Sequence, residues 1–163
     1  MALVRTAITA PAVTNYNSLP NASLASCAAI TVGTTTNIAD HEIVVTLTST
    51  AINGGTSTIV NLYAYASIDG TNWSGSGTTN ELIDGADKTI TWSANGNQAI
   101  PLGAIAFTTT TAGTIVYRSR RISMAAAFGG TLPAKYVIVV QNQSSGPLAG
   151  SGNSIAVNEL SYS

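Results

Sequence analysis

The stretch Ile59-Val60-Asn61-Leu62-Tyr63-Ala64-Tyr65-Ala66-Ser67-Ile68-Asp69-Gly70-Thr71-Asn72-Trp73 decides the fold class. Val60, Leu62, Ala64, Ala66 and Ile68 alternate with Asn61, Tyr63, Tyr65 and Ser67, which is the period of a strand with one buried face. Asp69-Gly70 then signals a tight turn, because Gly tolerates positive φ and an Asp carboxylate caps nearby backbone N–H groups. Trp73 is expected to fold back over the resulting hairpin. Working outward, Ile43, Val45 and Leu47 alternate with Glu42, Thr46 and Thr48. Val44 is the exception on the wet side. Tyr136 to Val140 is an unbroken apolar run, the mark of a strand covered on both faces. Lys88–Ser93, Gly113–Ile122 and Ser154–Leu160 also read as strands. Met124–Phe128, followed by Gly129-Gly130 and Pro133, reads as one short helical turn with a Gly cap.

About eight strand segments separated by turn signals predict an all-β fold, a single β-sandwich of jelly-roll-like kind, with an immunoglobulin-like sandwich second. The chain has 163 residues, a length at which one domain is the ordinary expectation. Residues 1–24 carry Pro11, Pro20, Asn15, Asn17 and Asn21 and little periodicity. They are expected to form an extended N-terminal arm beside a sandwich domain over 25–163. The aliphatic residues of that arm and Tyr16 predict that it docks, on its own chain or on a neighbour. The N-terminus does not read as a secretory signal, since Arg5, Thr6 and Thr9 interrupt the apolar stretch.

Only 8% of the residues are charged, and the net charge is -1. Six Lys plus Arg cannot supply a strong phosphate footprint, so a nucleic-acid partner is not expected. No run of about 18–20 apolar residues exists, so no membrane span is expected. The charge is unevenly placed: none falls between Arg5 and Asp40, Lys88 and Arg118, or Lys135 and Glu159. Long uncharged surfaces suggest a protein that works packed against neighbours. Arg118, Arg120 and Arg121 form the one concentration of positive charge, and Arg suits bidentate pairing with carboxylates across an interface. Arg5, Tyr16, Arg118, Arg120 and Arg121 are therefore the expected partner-interface residues.

Catalytic chemistry is poorly supplied. His41, the single histidine, is expected to be a solvated strand-start residue. Cys27, the single cysteine, lies among small residues and reads as a small buried hydrophobe. No enzyme activity, cofactor or metal is expected. The acidic stretch Glu81-Leu-Ile-Asp84-Gly-Ala-Asp87 resembles a cation loop only loosely and reads first as a solvated turn. Trp73, if exposed, would be the residue to stack on a sugar ring.

Ile122-Ser-Met-Ala-Ala-Ala-Phe-Gly-Gly-Thr-Leu-Pro133-Ala-Lys-Tyr-Val-Ile-Val-Val-Gln-Asn142, followed by Gly146-Pro-Leu148 and Ser151-Gly-Asn-Ser154, resembles the C-terminal part of small β-sandwich virion proteins of tailed bacteriophages. Leu62 to Trp73 fits the same pattern, so the resemblance covers residues 59–73 and 115–158. It implies a non-enzymatic structural role, either as a capsid decoration or cement protein or as a tail or neck component. The implied partners are the major capsid protein or other virion proteins and further copies of the chain, a trimer first. The implied location is the virion, assembled in the host cytoplasm. The alternative is a carbohydrate-binding host-recognition module built around Trp73.

Overall fold

The computed structural model describes residues 1–34, 37–49, 58–73, 83–91, 98–108 and 114–163. Among these the chain forms β1 (Leu3–Ala7), a 3₁₀ turn (Thr14–Tyr16), β2 (Leu24–Ser26), β3 (Ile30–Thr31), β4 (Ile38–Ser49) and β5 (Ile59–Ser67). Then follow β6 (Lys88–Ile90), β7 (Ile100–Ala106), β8 (Ile115–Arg118), β9 (Ile122–Ser123), α1 (Met124–Ala127), β10 (Lys135–Gln143) and β11 (Ser154–Tyr162). The fold is all-β and sandwich-like. One antiparallel sheet has the order β1-β11-β4-β8, with β9 also on β4. The second has the order β6-β2-β10-β5-β7, with β3 also on β10.

β10 is the centre of the second sheet. Tyr136, Val137, Ile138, Val139 and Val140 are all 0% exposed, as the unbroken apolar run predicts. On one face Tyr136, Ile138 and Val140 stand opposite Ala66, Ala64 and Leu62 of β5. On the other, Val137 and Val139 stand opposite Tyr65 and Tyr63, aromatic–aliphatic pairs that suit neighbouring strands. β4 keeps the predicted alternation, with His41, Ile43, Val45 and Leu47 turned inward. The helical turn forms as read: Ser123 Oγ accepts from the Ala126 N–H at 3.1 Å, and the Gly130 N–H returns to the Ala125 carbonyl. Its Ala125 N–H is held by Asp40 Oδ1 at 2.7 Å.

Three expectations are corrected. Residues 1–24 do not form one arm: the segment docks on its own chain, one of the two expected outcomes, but from Tyr16 onward it is part of the core. β1 pairs with β11, and Tyr16 and Leu19 are core residues, 0% and 2% exposed. The physical reason lies in polar side chains placed far along the chain. Asp87 accepts the N–H groups of Thr14 and Asn15 at 2.6 and 3.1 Å. Buried Asn142 donates to the Leu19 carbonyl at 2.9 Å, and Asn153 donates to Asn17 Oδ1 at 2.9 Å. Second, Asp69-Gly70 does not close a hairpin, because β5 lies between β10 and β7 while the next strand, β6, pairs with β2. The turn itself forms as expected, with Asp69 Oδ1 accepting from Thr71 and Asn72 at 2.9 and 2.7 Å. Third, β7 is a strand where none was expected, despite Pro101 and Gly103. It sits at a sheet edge, where Pro is tolerated, and its register shifts between Leu62 and Tyr63 of β5.

β1 buries none of its five residues, whereas Tyr16 fills the core and donates to the Ile138 carbonyl at 2.8 Å. Removing residues 1–7 is therefore expected to leave a cooperatively folded chain. Tyr16→Ala should cost about 3–5 kcal/mol and Tyr16→Phe about 1 kcal/mol. Urea denaturation midpoints check this. Equal losses from the truncation and from Tyr16→Ala would show that β1 carries core stability after all.

Candidate interaction site

The five expected interface residues separate into three groups. Tyr16 is enclosed and cannot meet a partner; its hydroxyl is used on β10 and its ring in the core. Arg5 and Arg121 flank Glu42 from β1 and from the segment before β9. Their nearest approaches to Oε2 are 2.8 and 3.6 Å. Neither makes a hydrogen bond to Oε2, so the contact is ionic. Such partly exposed pairs contribute at most about 1 kcal/mol each. Arg5 and Arg121 are thus spoken for within the chain, and they pin the outer strands to β4.

Arg118 and Arg120 are different. Both are exposed, and neither forms an ion pair among the described residues. They line a cleft of 420 Å³ between β7 and β8, the terminal strands of the two sheets among the described residues. One wall is Leu102 to Ala106 of β7; the other is Tyr117 to Arg120 at the end of β8. A second hollow of 300 Å³ shares Leu102, Arg120 and Ile122 with it and runs on past Arg121 to Ala126 and Ala127. Tyr117 is fixed in the wall by stacking on Phe107, with ring centroids 4.1 Å apart. The Ser119 N–H donates to the Val45 carbonyl at 2.8 Å. By strand alternation the Val116 and Arg118 N–H groups therefore point to the open edge. The wall contributed by β7 was missed in the sequence because Pro101 and Gly103 broke the apolar pattern of Ile100, Leu102 and Ile105. No single-residue signal marks it.

The acidic turn has a structural task. Asp84 pairs with Lys88 at 2.9 Å and accepts the Ala86 N–H. Burial pushes its carboxyl up, but Lys88 and that N–H outweigh burial and hold it below the usual range. Asp87 holds the 3₁₀ turn, and Glu81 lies outside the described residues. Trp73 is half-buried with its six-membered ring against Gly85, where a Cβ would stand 2.7 Å from Cζ2. Gly85 also has φ +83°, so this close approach and the backbone both call for glycine. The ring is therefore a packed residue with a partial surface, not a free platform. Asp69, by contrast, is fully exposed. The N–H groups of Asn72 and Thr71 hold its carboxyl well below the usual carboxylate range.

His41 is not solvated, contrary to the sequence expectation. It is 0% exposed, and its Nδ1 lies 3.0 Å from the Tyr136 hydroxyl, a contact that ties one sheet to the other. Nε2 has no hydrogen-bond partner among the described residues and stands 3.8 Å from Glu159 Oε2. Cys27 is buried as expected; burial pushes its thiol up to about 12, so it is not a thiolate nucleophile at neutral pH. No group of three or more His, Cys, Asp or Glu able to hold a metal occurs among the described residues. No protein-family model matches the chain, and no curated protein matches it at a significant level.

Burial lowers the His41 pKa from its ordinary value of 6.5; Glu159 and Asp40 pull it the other way but do not prevail. The unfolded chain therefore binds a proton more readily than the folded one. Stability is complete above about pH 6.5 and is lost as the pH falls through the lower folded value. Urea midpoints at about pH 7.5 and 5.5 should differ for the native chain and differ less for His41→Gln. Equal pH slopes for the two would assign the loss to carboxylates instead.

Proposed function

We propose that this chain is a non-enzymatic structural protein of a tailed-bacteriophage virion, a decoration or cement protein that binds the major capsid lattice and stabilises it. The observation that carries the reading is the pair of edges on one sheet, β1 and β8, that no strand among the described residues covers. β1 is wholly exposed and displays Leu3 and Val4 beside Tyr162 of β11, and β8 displays Val116 and Arg118. Exposed apolar side chains on unpaired strand edges are suited to contact with another subunit. The resemblance supports the same reading, since its segments include β5, β8, α1, β10 and most of β11. A homo-oligomer, a trimer first, would set these edges around a symmetry axis of the lattice. Added contacts stabilise an assembled shell by mass action, because they exist only in the assembled state.

A tail or neck component would use the same edges on a different neighbour. The glycan reading is weaker, because the Trp73 ring is committed to Gly85. Cryo-electron microscopy of the particle is the test. Density for this chain is expected on the capsid exterior at symmetry-related positions, with β1 or β8 against a neighbour. Density in the tail or neck would favour the second placement. A mature particle without the chain would overturn both.

A further inference from the structure

We propose that the cleft between β7 and β8 binds an extended, acidic segment of a different polypeptide, which adds as a strand to β8 with a carboxylate on Arg118 and another on Arg120. The inference rests on the structural-protein reading only in taking the ligand to be a polypeptide. Three observations carry it.

The first is charge. Among the described residues Arg5, Lys88 and Arg121 each have an ion pair, while Arg118, Arg120 and Lys135 have none; of these three only the two arginines are exposed, and they line one cleft. A carboxylate from outside would complete them, and Arg forms its best pairs with carboxylates. The second is the backbone. Among the described residues β8 has β4 on one side and no strand on the other, towards which the Val116 and Arg118 amides point. The facing edge, β7, is a poor acceptor of a strand. Pro101 has no N–H, the ladder slips beside Leu62, and Gly103 has φ +128°. A strand entering the cleft is thereby directed to β8, which is strand addition with side-chain specificity. Val116 and Arg118 share a face, so the incoming segment should carry an apolar residue and an acid two positions apart.

The third observation separates a different chain from a second copy. Asp40, Glu42, Asp69, Asp84 and Asp87 already accept hydrogen bonds or ion pairs within the chain, and Glu159 faces His41. Among the described side chains that leaves a second copy only Glu159, which stands 3.8 Å from a neutral His41, and one carboxylate cannot serve both arginines.

The test uses the full chain and a fluorescent, end-blocked peptide, Thr-Val-Thr-Glu-Thr-Glu-Thr, with the Gln version as its neutral counterpart. Anisotropy at low salt should give the Glu peptide a Kd roughly tenfold lower than the Gln peptide. The double variant Arg118→Gln, Arg120→Gln should abolish that preference, and Arg5→Gln should keep it. Both arginines are exposed, and an unchanged thermal midpoint would show that the variant is folded. Amide shifts in NMR spectra should be confined to residues 102–106 and 115–120. Equal binding of the two peptides, or no binding, overturns the proposal, as does a preference that survives in the double variant. Tighter binding of tripolyphosphate at the same residues would assign the cleft to phosphate and overturn it too. Sedimentation showing that the double variant loses self-association would instead assign the edge to a second copy. None of these results depends on where the chain sits in a particle.

Discussion

Everything in this fold hangs on one strand that is dry on both faces. The Ile138 carbonyl of β10 accepts from the Tyr16 hydroxyl and from the Cys27 N–H, at 2.8 and 3.0 Å. Its neighbour Tyr136 reaches across the core to His41. Through these contacts β10 fixes the N-terminal segment, the strands beside it and the opposite sheet. Burying a strand this completely requires that its polar backbone be paired on both sides, which β5 supplies on one side and β2 and β3 on the other.

Around that strand, neutral amides do what charges do in more ordinary chains. Asn142, 0% exposed, donates to the carbonyls of Leu19 and Gly146 and accepts from Ser144. Asn153 accepts the Thr48 N–H and donates to Ala149 and Asn17. Each amide ties a connecting loop to residues 17–19. Such fully satisfied amides can be enclosed at little cost, whereas an unpaired charge could not. The low charge content therefore reflects loops fastened by Asn, with ionic groups left for sheet edges and turns. Ser18, Ala22 and Ser145, with φ values of 55°, 63° and 67°, lie where these loops meet.

The central strands were legible because their burial follows simple periodicity. Tyr136–Val140 and Ile43–Leu47 read from pattern alone, as did the Ser123-capped helical turn. β7 was not legible, since an edge strand can hold Pro101 and a bulge that a central strand could not. The fates of Tyr16 and His41 were hidden for another reason. Both lie in polar surroundings along the chain, and only contacts more than ninety residues away bring them into the core. Of the candidate site, the arginines could be named but not sorted. Whether an Arg is free depends on where Glu42 lies, and that is set by the pairing of β4 with β9 and β11.

The result is a sealed centre with open margins: β10 buried, β1 exposed, and β8 offering amides and two arginines unmatched among the described residues. Amide hydrogen exchange of the free chain tests this division most directly. Amides of Val137 to Val140 should exchange only through global unfolding, and those of Val116 and Arg118 at nearly unprotected rates. Protection of Val116 and Arg118 as strong as that of β10 would mean the β8 edge is already covered, and would contradict it.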